Sequence, residues 1–179
     1  MFEPMQSLII ICGQEGVGKS TLAKAITSHL KNGASFDAEN ILQVNPFEFS
    51  AAFQALAIKN SVDLIHNFYA AGYEAVVAGS FINDRKGYDA FRKLLNVSPK
   101  IYIVMLNAAK QIRDDRRIKR EKPTSKEIRE LVDTKCPPDP TLRDSQKKAD
   151  YIYLEVDNSE LTVDTTIECL RHSIPDVFR

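Results

Sequence analysis

The residues that could do chemistry cluster near the start of the chain, in Gly13-Gln14-Glu15-Gly16-Val17-Gly18-Lys19-Ser20. This run fits G-x-x-x-x-G-K-[ST], the pattern of a loop that wraps a phosphate group. Its glycines lack Cβ atoms, so successive backbone N–H groups can turn toward an anion. Lys19 has the reach and charge to meet β- and γ-phosphates, and the Ser20 hydroxyl is a hard oxygen ligand suited to Mg²⁺. Thr21 is a further candidate, for the α-phosphate.

A loop of this kind works only between a strand and a helix, and the flanking residues supply both. Leu8 to Ile11 is an apolar run of strand formers, expected to be buried on both faces. Leu22, Ala23, Ile26 and Leu30 fall at helical spacing, and Asn32-Gly33 reads as the end of that helix. The helix would add the positive end of its dipole to the phosphate site.

A second group of candidates lies further along the chain. Ala34-Ser35-Phe36 reads as a short strand that delivers Asp37 and Glu39 to its carboxyl end, where ligands bind in open α/β sheets. Asp37 could orient Mg²⁺ or take a proton from an attacking hydroxyl, or it could simply cap a helix. Arg113, Arg116, Arg117 and Arg120 share a predicted helix after the strand Ile101–Leu106. Arg116 and Arg120 are four apart, as are Arg113 and Arg117, so each pair shares a helix face. Such guanidinium groups suit polyphosphate recognition. The alternative is a solvated helix, neutralised by Asp114, Asp115 and Glu121. Arg85, just after the third strand, could clamp an anionic acceptor.

The other elements follow from periodicity. A helix is expected over Phe47 to Ala71, with His66 in a structural role, and a strand over Glu74 to Ala78. A further helix is expected over Asn83 to Leu95. Two helical pieces should lie between Lys110 and Asp133, split at Pro123, with Thr124 or Ser125 capping the second. Cys136 to Pro140 reads as an extended connector, Asp150 to Val156 as the last strand, and Leu161 to Ile174 as a closing helix. Strand and helix alternate five times, which argues for a parallel sheet with helices on both faces.

Composition sets the bounds. The chain has 179 residues, 44% hydrophobic and 27% charged, with formal net charge zero. One domain is expected, residues 1–179, with a lid segment at about 110–140. Zero net charge offers no global field for nucleic acid or an anionic membrane. No apolar run approaches the roughly 18 residues of a membrane span. The N-terminal MFEPMQS lacks the features of a signal peptide. Three widely spaced cysteines suggest neither a zinc site nor a disulfide framework, so a cytoplasmic, reduced protein is expected.

These residues resemble the small P-loop kinases, the nucleoside-monophosphate-kinase-like enzymes, over nearly the whole chain. Adenylylsulfate kinase and the polynucleotide-kinase-like group are the most similar. GQEGVGKST resembles their P-loop, FDAEN their acidic turn, and VVAGSFINDRKGYDAFRKLL their third strand and the helix after it. RRIKR is similar to the start of their lid, and ADYIYLEVDNSEL to their closing segment, which also resembles dephospho-coenzyme A kinase. The stretch from Asn45 to Asn60 departs, being apolar where adenylylsulfate kinases carry substrate-gripping arginines.

The resemblance implies an α/β P-loop NTPase fold with a five-stranded parallel sheet in order 2-3-1-4-5, flanked by helices and a small lid. It implies ATP and Mg²⁺, with Lys19 and Ser20 holding donor and metal. Asp37 becomes the base or metal-orienting group, Arg85 the acceptor clamp, and Arg116 and Arg120 the lid arginines. The expected activity is transfer of the γ-phosphoryl group of ATP to a nucleotide or other small-molecule acceptor.

Two alternatives stay open. One is a polynucleotide 5′-hydroxyl kinase, against which the neutral charge argues. The other is a nucleotide-dependent ATPase switch acting on a protein partner. A guanine-nucleotide switch would need N/T-K-x-D, and Thr134-Lys135-Cys136-Pro137 lacks the aspartate. A hydrolytic ATPase would be expected to end a strong strand in aspartate, and Val76 to Ser80 has none. Oligomeric state is not legible.

Overall fold

The computed structural model describes residues 6–120 and 124–178. Five strands form one parallel sheet in the order β2-β3-β1-β4-β5, as expected: β1 Ser7–Cys12, β2 Gly33–Asp37, β3 Ala75–Gly79, β4 Lys100–Asn107 and β5 Tyr151–Asp157. After β1 the chain moves to the edge strand β2 and returns through β3, then crosses β1 to build β4 and β5. The direction of winding therefore reverses at β1, and its carboxyl end is where a ligand crevice opens.

The side-chain alternation of β1 builds both halves of the core. Leu8, Ile10 and Cys12 face one layer, packed by α3 (Ala51–Ala70) and α4 (Arg85–Leu94). Ile9 and Ile11 face the other, packed by α1 (Lys19–Ser28) and α8 (Val163–Ser173). All five side chains are fully buried. Burying each of the aliphatic ones contributes about 1.5–3 kcal/mol, so β1 is the spine on which the site is hung. The Cys12 thiol, buried beneath the phosphate loop, is pushed up to about 12 by that burial, against the lowering effect of Lys19.

Local capping chemistry sets several boundaries. Helix α3 begins at Ala51 and not at Phe47, because the Ser50 hydroxyl accepts the Phe53 N–H at 3.2 Å. Ser125 caps α6 (Lys126–Lys135) by accepting from Ile128 N at 3.3 Å, one of the two caps expected there. Pro123 and Glu121, named above as the helix breaker and a neutralising charge, lie outside the described residues. Helix α1 ends at Ser28, short of Asn32-Gly33. Gly33 instead opens β2, and Leu30 packs where a Gly33 side chain would stand.

The short helices α2 (Ala38–Ile41) and α7 (Thr141–Ser145) were not expected, being too brief to show periodicity. Helix α7 is pinned by Leu142, which is fully buried and whose carbonyl accepts the Tyr151 hydroxyl at 2.6 Å. His66 lies on α3 and accepts the Asn96 N–H at 3.1 Å, a structural contact. No helix among the described residues is long and apolar enough to cross a membrane.

Candidate phosphate-binding site and cleft

The loop from Gly13 to Ser20 runs directly from β1 into α1. Gly16 has φ +87°, and a Cβ there would lie 2.7 Å from the Arg113 carbonyl oxygen, so only glycine fits. Gly18, at φ +102°, is the N-cap of α1 and has no side chain to cap the helix. The first-turn N–H groups of α1 therefore have no side-chain acceptor at their N-cap, which leaves the positive end of the dipole for an anion. Lys19 Nζ donates to the carbonyls of Gly13 at 3.1 Å and Gln14 at 3.3 Å, folded back over the loop. Ser20 and Thr21 are exposed on the first turn of the helix.

Asp37 serves two roles at once. It is buried at the end of β2, where Oδ1 accepts the Glu39 N–H at 3.1 Å and caps α2. The other oxygen, Oδ2, accepts the Ser20 hydroxyl. A hydroxyl and a carboxylate thus meet at the mouth of the loop. This hard-oxygen pair fits Mg²⁺.

The four arginines divide by partner. On α5 (Lys110–Ile118), the fully buried Arg117 donates from Nη2 to both oxygens of Asp133, at 3.0 and 3.1 Å, and from Nη1 to Glu15 Oε2 at 3.3 Å. Arg113, also buried, donates from Nη1 to Asp133 Oδ1 at 2.8 Å and to the Glu15 carbonyl at 3.3 Å. Arg116 donates to the Val17 carbonyl at 3.3 Å and the Asn158 carbonyl at 2.8 Å. Arg120 alone of the four is exposed, and it donates to Glu15 Oε1 at 3.1 Å. The reading of a solvated helix neutralised within itself therefore fails for Arg113 and Arg117. Their main acceptors are Asp133 on α6 and Glu15 in the loop.

Burial pushes the Asp133 carboxyl up. The hydrogen bonds and charges of Arg113 and Arg117 outweigh that and hold it below the ordinary carboxylate range.

Beside the loop lies a cleft of about 950 Å³ over the carboxyl edge of the sheet. Gly13, Gln14, Glu15 and Lys19 form its phosphate end. Its apolar lining comes from two segments, Phe47, Phe49 and Phe53 before and in α3, and Ile128, Leu131 and Val132 of α6. Arg85 is not among its lining residues. The Arg85 guanidinium pairs with Asp89 at 2.7 Å, its backbone N–H donates to Thr141, and it is the neighbouring Lys86 that lines the cleft. The phosphate loop, Asp37, Arg116 and Arg120 come together; Arg85 stands apart.

No protein-family model and no curated protein matches the chain. Solved structures do. A sugar kinase from Janibacter sp. HTCC2649 superposes with a TM-score of 0.71 at 13% identity, covering 96% of this chain and 95% of that one. A gluconokinase from Sinorhizobium meliloti 1021 gives 0.65 at 13% identity, covering 98% and 93%. The tunicamycin resistance protein of Deinococcus radiodurans gives 0.63 at 16% identity, covering 94% and 95%. The fold is that of the P-loop kinases.

Within this P-loop kinase fold, three contributors to the site have partners that nothing local in the sequence marks. Glu15 occupies a free position of the loop motif yet binds two arginines. Asp133 is a charge in a charge-rich helix. Asn158 reaches back across the sheet edge to donate to the Val17 carbonyl at 2.6 Å, which clamps the loop to the β5–α8 turn.

Proposed function

We propose that this protein is an ATP-dependent phosphotransferase that moves the γ-phosphoryl group of ATP to the hydroxyl of a small molecule. One observation carries the reading. A glycine loop whose lysine lines a large open cleft carries, on the next residue, a hydroxyl that donates to the Asp37 carboxylate.

The loop N–H groups and Lys19 would neutralise the β- and γ-phosphate oxygens, with Lys19 giving up its contacts to Gly13 and Gln14. Ser20 and Asp37 would hold Mg²⁺, which when bound neutralises phosphate charge and orients the donor. The acceptor oxygen forms a bond to the γ-phosphorus as the bond to the bridging oxygen breaks, and ADP leaves with that electron pair. Asp37 would serve either in orienting that metal or as the base that takes the acceptor's proton. Arg120, the exposed arginine beside the loop, is the one free to turn toward developing charge, whereas Arg116 braces the loop from behind. A cytoplasmic location, where ATP is abundant, is part of this proposal.

ADP release in the presence of ATP, Mg²⁺ and an acceptor panel tests this, with Lys19→Ala as the comparison. Loss of one preorganised cationic donor is expected to cost about 100- to 1,000-fold in kcat. Equal rates for the two proteins would refute the assignment.

A further inference from the structure

The walls of the cleft are unusually apolar and open for a folded surface. Phe47 is 64% exposed, Phe49 42%, Ile128 51% and Leu131 57%. All four side chains line the space next to the phosphate loop. The rings of Phe47 and Phe53 meet edge to face at 5.1 Å and 84°, with Phe49 tilted against Phe53 at 6.4 Å. An entering ring would therefore find both a face and an edge, the arrangements aromatic pairs favour. The volume suits a drug-sized molecule in addition to the phosphate end.

The charges point the same way. Among the described residues, four basic side chains line the cleft: Lys19, Lys86, Lys135 and Arg143. Five acidic ones do so as well: Glu15, Glu39, Asp84, Asp139 and Glu155. Lys19 belongs to the donor phosphates, and Arg143 lies 3.3 Å from Asp144. Glu15 is matched by Arg117 and Arg120, which leaves four acids against four bases; with ATP bringing several negative charges of its own, the lining has no cationic surplus for a second anion. Arg85, the residue placed in sequence to clamp one, is paired with Asp89 away from the cleft. An acceptor carrying phosphate, sulfate or carboxylate would meet like charge there without a guanidinium fork.

We propose that the phosphoryl acceptor is an uncharged hydroxyl compound with an apolar, ring-bearing body. This rests on the phosphotransferase reading above. The ring would lie against the Phe47–Phe49 and Ile128–Leu131 segments, and the hydroxyl would face Asp37 and the γ-phosphate.

A matched pair of fluorescent probes tests the class. N-phenyl-1-naphthylamine is neutral; 1-anilinonaphthalene-8-sulfonate carries the same rings with one added negative charge. The neutral probe is expected to bind the ATP-loaded protein saturably, at least about tenfold tighter than its sulfonate. Phe47→Ser with Phe49→Ser is expected to weaken it by at least about tenfold. Should that double variant unfold in a thermal melt, Leu131→Ser in the α6 part of the lining carries the same expectation. In turnover, 3-phenylpropane-1,2-diol is expected to raise ADP release above AMP, adenylylsulfate or gluconate. Equal or tighter binding of the sulfonate, indifference to both wall variants, or stimulation led by an anionic acceptor would overturn the proposal. Failure of a fluorescent ATP analogue to bind would instead overturn the phosphotransferase reading itself.

Discussion

Glu15, an acid inside the phosphate loop, lies with Oε2 3.3 Å from Nη1 of the fully buried Arg117. Through Arg117 and Asp133, this contact joins the loop to α6, the helix that forms one wall of the cleft. The loop and the wall are therefore parts of one charged network, in which a change at either end is felt at the other.

Arg117 is the hub of that network, and its loss takes from Asp133 and Glu15 one of the two arginines that each holds. Arg117→Ala is expected to cost about 1–3 kcal/mol, the range for leaving buried acceptor oxygens unsatisfied, because each acid keeps one arginine. Arg117→Met and Arg113→Met combined with Asp133→Leu should recover much of the loss, since Glu15 keeps Arg120 and no buried charge is stranded. Urea unfolding of the three proteins checks this, and an unchanged midpoint for Arg117→Ala would refute the hub role.

Much of the scaffold was legible in the sequence, because β1, the loop and α1 are continuous and each local preference agrees with the fold. The apolar run Leu8–Ile11, the glycine spacing and the Ser125 cap each carry their signal within a few residues. The charged network was not legible. Glu15 and Arg117 are 102 residues apart, Asn158 and Val17 141 apart, and nothing in either residue's neighbourhood marks its partner. The helix expected from Phe47 begins at Ala51, because the Ser50 hydroxyl caps it there, and Phe47 and Phe49, two apart, lie before it. Asp37 was left open between cap and functional group, and the structure gives one carboxylate oxygen to each partner.

That division makes Asp37 separable by substitution. Asp37→Asn keeps an oxygen to cap α2 but removes the charge beside Ser20, whereas Asp37→Ala removes both. Asparagine is expected to lower kcat sharply with little loss of stability. Alanine should add a stability loss of about 1 kcal/mol. Unchanged kcat in Asp37→Asn would restrict the residue to capping.

Gly16 offers a steric test of the loop. An alanine Cβ would press on the Arg113 carbonyl at 2.7 Å with the backbone held at φ +87°. Gly16→Ala is expected to destabilise the fold by at least about 1 kcal/mol and to weaken nucleotide binding by tenfold or more. Calorimetric melting with and without ATP reads both, and wild-type behaviour would contradict the geometry.

The acid limb of stability should follow the paired carboxylates. For Asp133, Asp150 and Asp176, burial raises the pKa but hydrogen bonds from arginine, lysine and tyrosine partners outweigh it, so each is lowered in the folded state. Their contribution is complete above the ordinary carboxylate value and is lost as pH falls through the lower folded values, because the unfolded chain binds the protons first. Urea midpoints should decline from neutral pH toward about pH 3, and Asp133→Asn should flatten part of that slope. A slope unchanged by Asp133→Asn would contradict the assignment.

The most direct test of the central claim is ADP release from ATP and Mg²⁺ by the wild type and by Lys19→Ala, with and without 3-phenylpropane-1,2-diol. That acceptor is expected to raise the wild-type rate, and Lys19→Ala to lose at least about 100-fold in kcat while melting at the same temperature. Equal turnover by the two proteins, or no ATP turnover by the wild type with any acceptor, would contradict it.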